Sequence, residues 1–401
     1  MKFYSADVVF PISSQPVFNG IIAVDQHQTI AGVFDNMDAV KNTFKSESNI
    51  NPVKLQGAII PGFINCHCHL ELSHLRGAIP KHQGLSGFIS DIIRLRKLSS
   101  HQEIVASMQK AEQAMIHEGI VAVGDISNTD ISFDLKNHSD LFFHTFIEVF
   151  DLNQAQSVAA LNSGLKLLNQ LKQNKKGYSG SISPHAPYTV TPALLKLIGA
   201  LSNNQPVTIH NQESASENEL FRLNSGKLKS FFSSLGNALD YIPHHPLSSL
   251  HGYIQYFNPD AEVIFVHNTF TQPDDMILAQ KTIKKTWWCL CPNANLYIEN
   301  TLPAINQIAS VTDNIVIGTD SLASNDSLSI LSELFTIHKN FPEIKVEQLL
   351  KWATLNGAKA LKADNLLGSI EMGKKPGLVL IKDFDTNNLT LTSNSRVERI
   401  L

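Results

Sequence analysis

Residues 58–70 read AIIPGFINCHCHL. An apolar run meets the breaker pair Pro61-Gly62, a second apolar stretch follows, and two histidines two residues apart stand at its end. In an extended strand the side chains at i and i+2 face the same way, so His67 and His69 send both imidazoles toward one pocket. Neutral imidazole is a good ligand for a divalent metal. By itself His-x-His says little in a chain with 16 histidines. It gains meaning from its place at the carboxyl end of a predicted buried strand, where barrel enzymes keep their chemistry.

Downstream the chain alternates apolar strands with amphipathic helical stretches. VAVGDIS (121–127), FFHTFIEVF (142–150), GSISPHAPYT (180–189), PVTIHNQE (206–213), EVIFVHNTF (262–270), WWCLCPNAN (287–295) and NIVIGTDS (314–321) all read as strands running into loops. Helical segments such as TPALLKLIGAL (191–201) and PDDMILAQKTI (273–283) lie between them. With the strand into Ile64 the count is eight, the pattern of a (β/α)8 barrel of the TIM type. Before it, ADVVF, NGIIAVD and QTIAGVF read as hairpin strands. After it, LVLI, LTLT and RVERI read the same way, so both chain ends are expected to form a small β-sandwich domain. The expected division is residues 1–57 and 361–401 for the β domain and 58–360 for the barrel. Residues 214–262 are too long for an ordinary strand-to-helix loop and read as an insertion shaping the mouth of the site.

Of the 401 residues 43% are apolar and 17% charged, and the net charge is -4. That balance fits a large folded core and offers no basic surface for nucleic acid. No apolar stretch approaches the ~20 residues of a membrane span, and the start MKFYSADVVF lacks the pattern of a signal peptide. The four cysteines, Cys66, Cys68, Cys289 and Cys291, form two i, i+2 pairs that are poor disulfide partners within a strand, so a reducing cytoplasm is expected.

Two further strand ends carry candidate ligands. His210 closes PVTI and Asp320 closes NIVIG. Each has a plain alternative, a polar strand terminus for His210 and a helix cap for Asp320. Together with His67 and His69 they make a His3Asp set suited to a catalytic divalent ion. Glu213, three residues past His210, is placed to move a proton beside the activated water, although a solvated loop glutamate is the simpler alternative, and Glu217 and Glu219 are read that way. His267 ends VIFV and His185 sits in SPHAPYT; either could face the same pocket or be an ordinary rim histidine. Two-metal barrels of this kind bridge their ions from the fourth strand with a carboxylated Lys or a Glu. GSISPHAPYT has neither, so a single ion is expected.

PGFINCHCH, SPHAPYT, IHNQES, VFVHN, CPNANLYI, GTDSLASNDSL, ATLNGAKAL and GSIEMGKKPGLVLI together resemble the amidohydrolase superfamily, in its deaminase and chlorohydrolase branch. HLELSHLRG, GLSGFI and NSGKLKSFFSSLG are similar to the group of aminodeoxyfutalosine, methylthioadenosine and adenosylhomocysteine deaminases. The resemblance implies metal ligands at His67, His69, His210 and Asp320. It implies Glu213 as proton shuttle, His267 with Asp320 beside the nucleophile, and His185 on the substrate; Glu71 and Arg76, close to the histidine pair in sequence, are further candidate substrate contacts apart from the resemblance. The implied ion is zinc first, with iron or manganese also compatible with His3Asp. The implied reaction is hydrolytic deamination of a purine-type nucleoside by metal-activated water. Guanine, cytosine or triazine chemistry in the same site is the alternative within the class, and a barrel that has lost catalysis is the alternative outside it. Dimers are common in the family, so a homodimer is an expected assembly. Cys68, Gln212, Asn268 and Pro376-Gly377 depart from the family's usual residues. None of these removes a catalytic group, but Gln212 and Asn268 bear on substrate choice.

Overall fold

Eight short parallel strands carry the site. They are β1 (Phe63–Cys68), β2 (Ile120–Ser127), β3 (Phe142–Val149), β4 (Ser179–Pro184), β5 (Pro206–Asn211), β6 (Glu262–His267), β7 (Lys285–Leu290) and β8 (Ile315–Ile317). The computed structural model describes every residue except 46, 48, 49, 174–178 and 202–204. Hydrogen bonding follows chain order, β1 to β4 in one run and β5 to β8 in the other. Two seams join the runs. At one, the His210 amide donates to the His185 carbonyl at 2.9 Å and the Ser181 hydroxyl to the Pro206 carbonyl at 2.5 Å. At the other, the amides of Thr319 and Asp320, just past β8, both donate to the His67 carbonyl at 3.0 Å. The strands therefore close into a barrel. All eight residues of β2 and all six of β1 are buried, as expected for parallel strands covered on both faces.

Gly318 explains how β8 comes so near β1. A Cβ there would lie 2.7 Å from that of His67 and 3.0 Å from the sulfurs of Cys289 and Cys291. Only a residue without a side chain lets the strand end reach the first histidine.

The chain divides into two compact units. One comprises Cys66–Glu112 and Val123–Leu328, the other Met1–Asn65, Gln113–Ala122 and Ser329–Leu401. In the second, one continuous sheet runs in the order Arg396–Arg399, Leu378–Lys382, Val53–Pro61, Lys2–Val9, Ile21–Val24, Ile30–Phe34, with Val17–Phe18 paired to Lys2–Val9. Leu378 pairs with Pro61 and Ile381 with Ala58, so both chain ends share the sheet. Alternation sends Ile22 and Val24 into one apolar cluster and Ile21 and Ala23 into another. The expected strand at LTLT is instead a turn closed by a single bridge between Asp385 and Thr390. Asp385 accepts from the Asn387 and Asn388 amides, a local turn that wins over the short alternation.

Candidate active site

Three imidazole nitrogens and one carboxylate oxygen converge at the carboxyl ends of β1, β5 and β8. Nε2 of His69 lies 3.2 Å from Nε2 of His67 and 3.3 Å from Nε2 of His210. Oδ1 of Asp320 lies 3.5 Å from Nε2 of both His67 and His69. Four ligands ~2.1 Å from a tetrahedral ion stand ~3.4 Å apart along each edge. Each of these four separations matches such an edge. Its chemistry agrees. His210 Nδ1 is 2.7 Å from the His185 carbonyl, an acceptor only, so the proton sits on Nδ1 and Nε2 keeps its lone pair for the cradle. Burial lowers the pKa of His67 and His210, which keeps both neutral. Asp320 is held well below the carboxylate range: burial opposes ionisation, but the hydrogen bond with His67 and the imidazoles of His69 and His267 facing it outweigh burial. The donor set therefore fits a divalent cation.

The backbone bends to aim these groups. Gln212, His267, Asn268 and Asp320 have φ of 46°, 73°, 58° and 56°, in the left-handed region. For residues with a Cβ this costs ~1–3 kcal/mol each, and such strain concentrates at working sites. Nothing in the local sequence announces it, since no glycine or turn dipeptide marks these positions. The loop after β1 is tied from below. Asp125 on β2 accepts from the Leu70 amide at 2.9 Å and pairs with Lys136 at 2.5 Å, both side chains fully buried. A charged residue inside the apolar run VAVGDIS was the available signal for this tether.

Glu213 is buried, with Oε1 3.6 Å from Nε2 of His267. Burial, reinforced by Asp320, pushes its carboxyl well above the carboxylate range. His267 is driven the other way, down to about 3 by burial, and is neutral. His185 is also kept neutral by burial, with Nδ1 2.6 Å from the Thr189 hydroxyl. His69, His185, His210, Glu213, His267 and Asp320 all line one cavity of about 270 Å³. Its outer wall is apolar: Leu85, Phe88 and Ile92 come from the helix Gly84–Leu95, and Phe232 belongs to the helix Lys227–Ser234 inside the long β5–β6 connection.

Glu71 and Arg76 fall outside this cavity. Glu71 accepts from Thr129 at 3.0 Å and lines a smaller hollow of about 110 Å³, where burial raises its pKa to about 7. Arg76 donates to the Asp326 carbonyl at 2.7 Å. Gln212 and Asn268 also turn away. Gln212 bonds Asp275 at 3.0 Å and Thr271 at 2.6 Å, and Asn268 bonds Asn211 at 2.9 Å, all in a buried network. Among the polar cavity residues that escaped the sequence reading are Glu148, Asn128 and Arg96. Nothing in FFHTFIEV sets Glu148 apart from an ordinary polar strand end.

Glu217 corrects an expectation. It is fully buried rather than solvated, and accepts from the Gln212 amide at 3.0 Å and the Ser249 hydroxyl at 2.6 Å. Burial raises its pKa from 4.5 to about 7. The folded state thus binds this proton more tightly than the unfolded chain. The stabilisation is complete below about pH 4.5 and is lost as pH rises through about 7, an order of 3 kcal/mol. Glu217→Gln stays neutral and keeps an acceptor oxygen. Urea unfolding at about pH 5 and about pH 8 should show the wild type losing more stability than the variant. Equal losses would contradict this account of the buried carboxyl.

A closed (β/α)8 barrel with a His3Asp cradle at its carboxyl face defines a metal-dependent hydrolase class. The chain belongs to the amidohydrolase family, whose family model matches residues 58–398. An adenosine deaminase of Helicobacter pylori is 26% identical over 330 residues, covering 80% of this chain and 78% of that one. The solved structure of Helicobacter pylori aminofutalosine deaminase in complex with methylthio-coformycin aligns with a TM-score of 0.84 at 22% identity, over 100% of both chains. A zinc-bound adenosine deaminase from Xanthomonas campestris aligns at 0.76 and 21% identity, over 97% of this chain and 87% of that one. At these identities the structural likeness speaks for the fold.

Proposed function

We propose that this chain is a hydrolytic deaminase of aminated purine-type nucleosides, with His67, His69, His210 and Asp320 holding one divalent ion. The observation that carries the reading is the buried Glu213 carboxyl, 3.6 Å from His267 and lining the same cavity as His69, His210 and Asp320 beneath an apolar wall. The His3Asp donor set and the zinc-bound relative support zinc. When bound, the ion supplies Lewis-acid activation that makes water a nucleophile near neutral pH.

The protein's own groups do the rest. Glu213 gives its proton to the ring nitrogen next to the attacked carbon as the new carbon–oxygen bond forms. The carboxylate left behind takes the proton of the new hydroxyl and hands it to the amine, which leaves as ammonia, and the next water restores the proton on Glu213. Neutral His267, 3.6 Å from that carboxyl, orients the water, and ionised Asp320 fixes its lone pairs. His185 faces the substrate from the end of β4. The apolar wall favours a nucleoside with an apolar substituent on its sugar over a free base or a triazine, in keeping with the relatives that act on aminofutalosine and adenosine. Among the described residues no helix is long and apolar enough to cross a membrane. All four cysteines are free and buried, which supports a cytoplasmic location.

Ammonia release over a panel of adenosine-type nucleosides, guanine, cytosine and aminotriazines tests the reading. Turnover concentrated in the nucleosides with apolar 5′ groups is expected. Turnover confined to free bases or triazines would overturn it.

A further inference from the structure

We propose that Glu148 grips the vicinal hydroxyls of the substrate's sugar and so selects ribonucleosides, an inference that rests on the nucleoside reading above. Glu148 is the next-to-last residue of β3, seven of whose eight residues are buried, and its own side chain is 6% exposed while lining the cavity. Oε2 is held by the Asn128 side-chain amide at 2.8 Å, which fixes the plane of the carboxylate. Oε1 lies 3.7 Å from Nδ1 of His210, beyond hydrogen-bond reach. That Nδ1 donates instead to the His185 carbonyl. Among the described residues Oε1 has no hydrogen-bond donor, and it belongs to a cavity-lining side chain, so a ligand in the cavity can supply one.

Glu148, His185 and His210 also come within 4.8 Å of one another. They make a poor second metal cradle, because the His210 nitrogen nearest Glu148 is already committed as a donor.

The chemistry of the ligand then narrows the match. A carboxylate accepts and does not donate. An adenine-type nucleoside has two kinds of donor, the exocyclic amine and the sugar hydroxyls. The amine is the leaving group and belongs at the cradle, on the Nε2 side of His210. Glu148 sits across the imidazole, on the Nδ1 side. The sugar hangs from the opposite end of the purine from the amine, so its hydroxyls are the donors that remain. An acidic side chain on a ribose diol is the same pairing that dinucleotide-binding folds use.

The test compares a ribonucleoside substrate with its 2′,3′-dideoxy counterpart, in wild type and in Glu148→Gln, with metal content measured for both proteins. Hydrogen bonds to a charged group are worth ~10–100-fold in kcat/KM. The wild type should favour the ribonucleoside by about that factor. In Glu148→Gln the ribonucleoside should lose most of this advantage, chiefly through KM, while the dideoxy substrate changes little. A wild type that turns over both substrates equally overturns the proposal without any variant. An equal loss on both substrates in Glu148→Gln also overturns it, since that is the mark of a group acting through His210. If the wild type deaminates no adenine-type nucleoside at all, the functional reading itself has failed, and a deaminase indifferent to Glu148 is a separate and recognisable result.

Discussion

Glu213→Gln should lower kcat by about 10²–10⁴-fold and leave metal content and KM close to wild type. Gln keeps the size and one acceptor of the carboxyl, but it cannot shuttle a proton. Glu213 is buried and its pKa is pushed well above the carboxylate range by burial and by Asp320. It is therefore suited to hold a proton and return it within one turnover. On the cavity side His267 lies 3.6 Å away. That histidine is held neutral down to about 3 and makes a weak substitute shuttle. Because the side chain is not one of the four converging donors, the variant should bind metal normally. Steady-state kinetics with metal analysis on the same preparation checks this. Near-normal turnover in a metal-replete variant would remove Glu213 from the proton path.

Stripping the divalent ion with a chelator should abolish turnover and also destabilise the fold, and one equivalent of zinc should restore both. His69 stands 3.2 Å from His67 and 3.3 Å from His210, and ionised Asp320 lies 3.5 Å from His67 and His69. Burial keeps His67 and His210 neutral, and the ionised Asp320 is itself buried beside them. A ligand that binds only the folded state stabilises it by ~2.7 kcal/mol at a hundredfold excess over Kd. Thermal unfolding with and without zinc reads the stability arm, and ammonia release reads the catalytic arm. A stripped protein with full turnover would show that the four donors serve some other purpose.

The barrel was legible because its strands are short apolar runs with clear breaks, and the period of strand and helix repeats eight times. The convergence of His67, His69, His210 and Asp320 was legible for a related reason. Each ends, or stands within three residues of the end of, a strand that can be read from its own composition. What escaped depends on tertiary context. Glu217 shares a helix face with Leu220 and Phe221, at i, i+3 and i+4, and all three are buried. That spacing was visible, but a glutamate flanked by polar residues reads as solvated unless its face is followed. Glu148 gave even less signal, since one acid at a strand end is common and only the closed barrel turns it into the cavity. Glu71 and Arg76 show the reverse. Their nearness in sequence to the histidine pair suggested the pocket, yet the short helix Leu70–Leu75 carries them off to other partners. The left-handed backbone at His267 and Asp320 could not be read at all, because it is imposed by where the strands must deliver their side chains.

The most direct measurement incubates the zinc-loaded protein with an adenosine-type nucleoside bearing an apolar 5′ group, in heavy-oxygen water, and follows the nucleoside by mass spectrometry. The account predicts a product in which the ring amine is replaced by one solvent oxygen, with one ammonia released per turnover and the glycosidic bond intact. A product that keeps its amine, or a free base released by cleavage at the sugar, would contradict it.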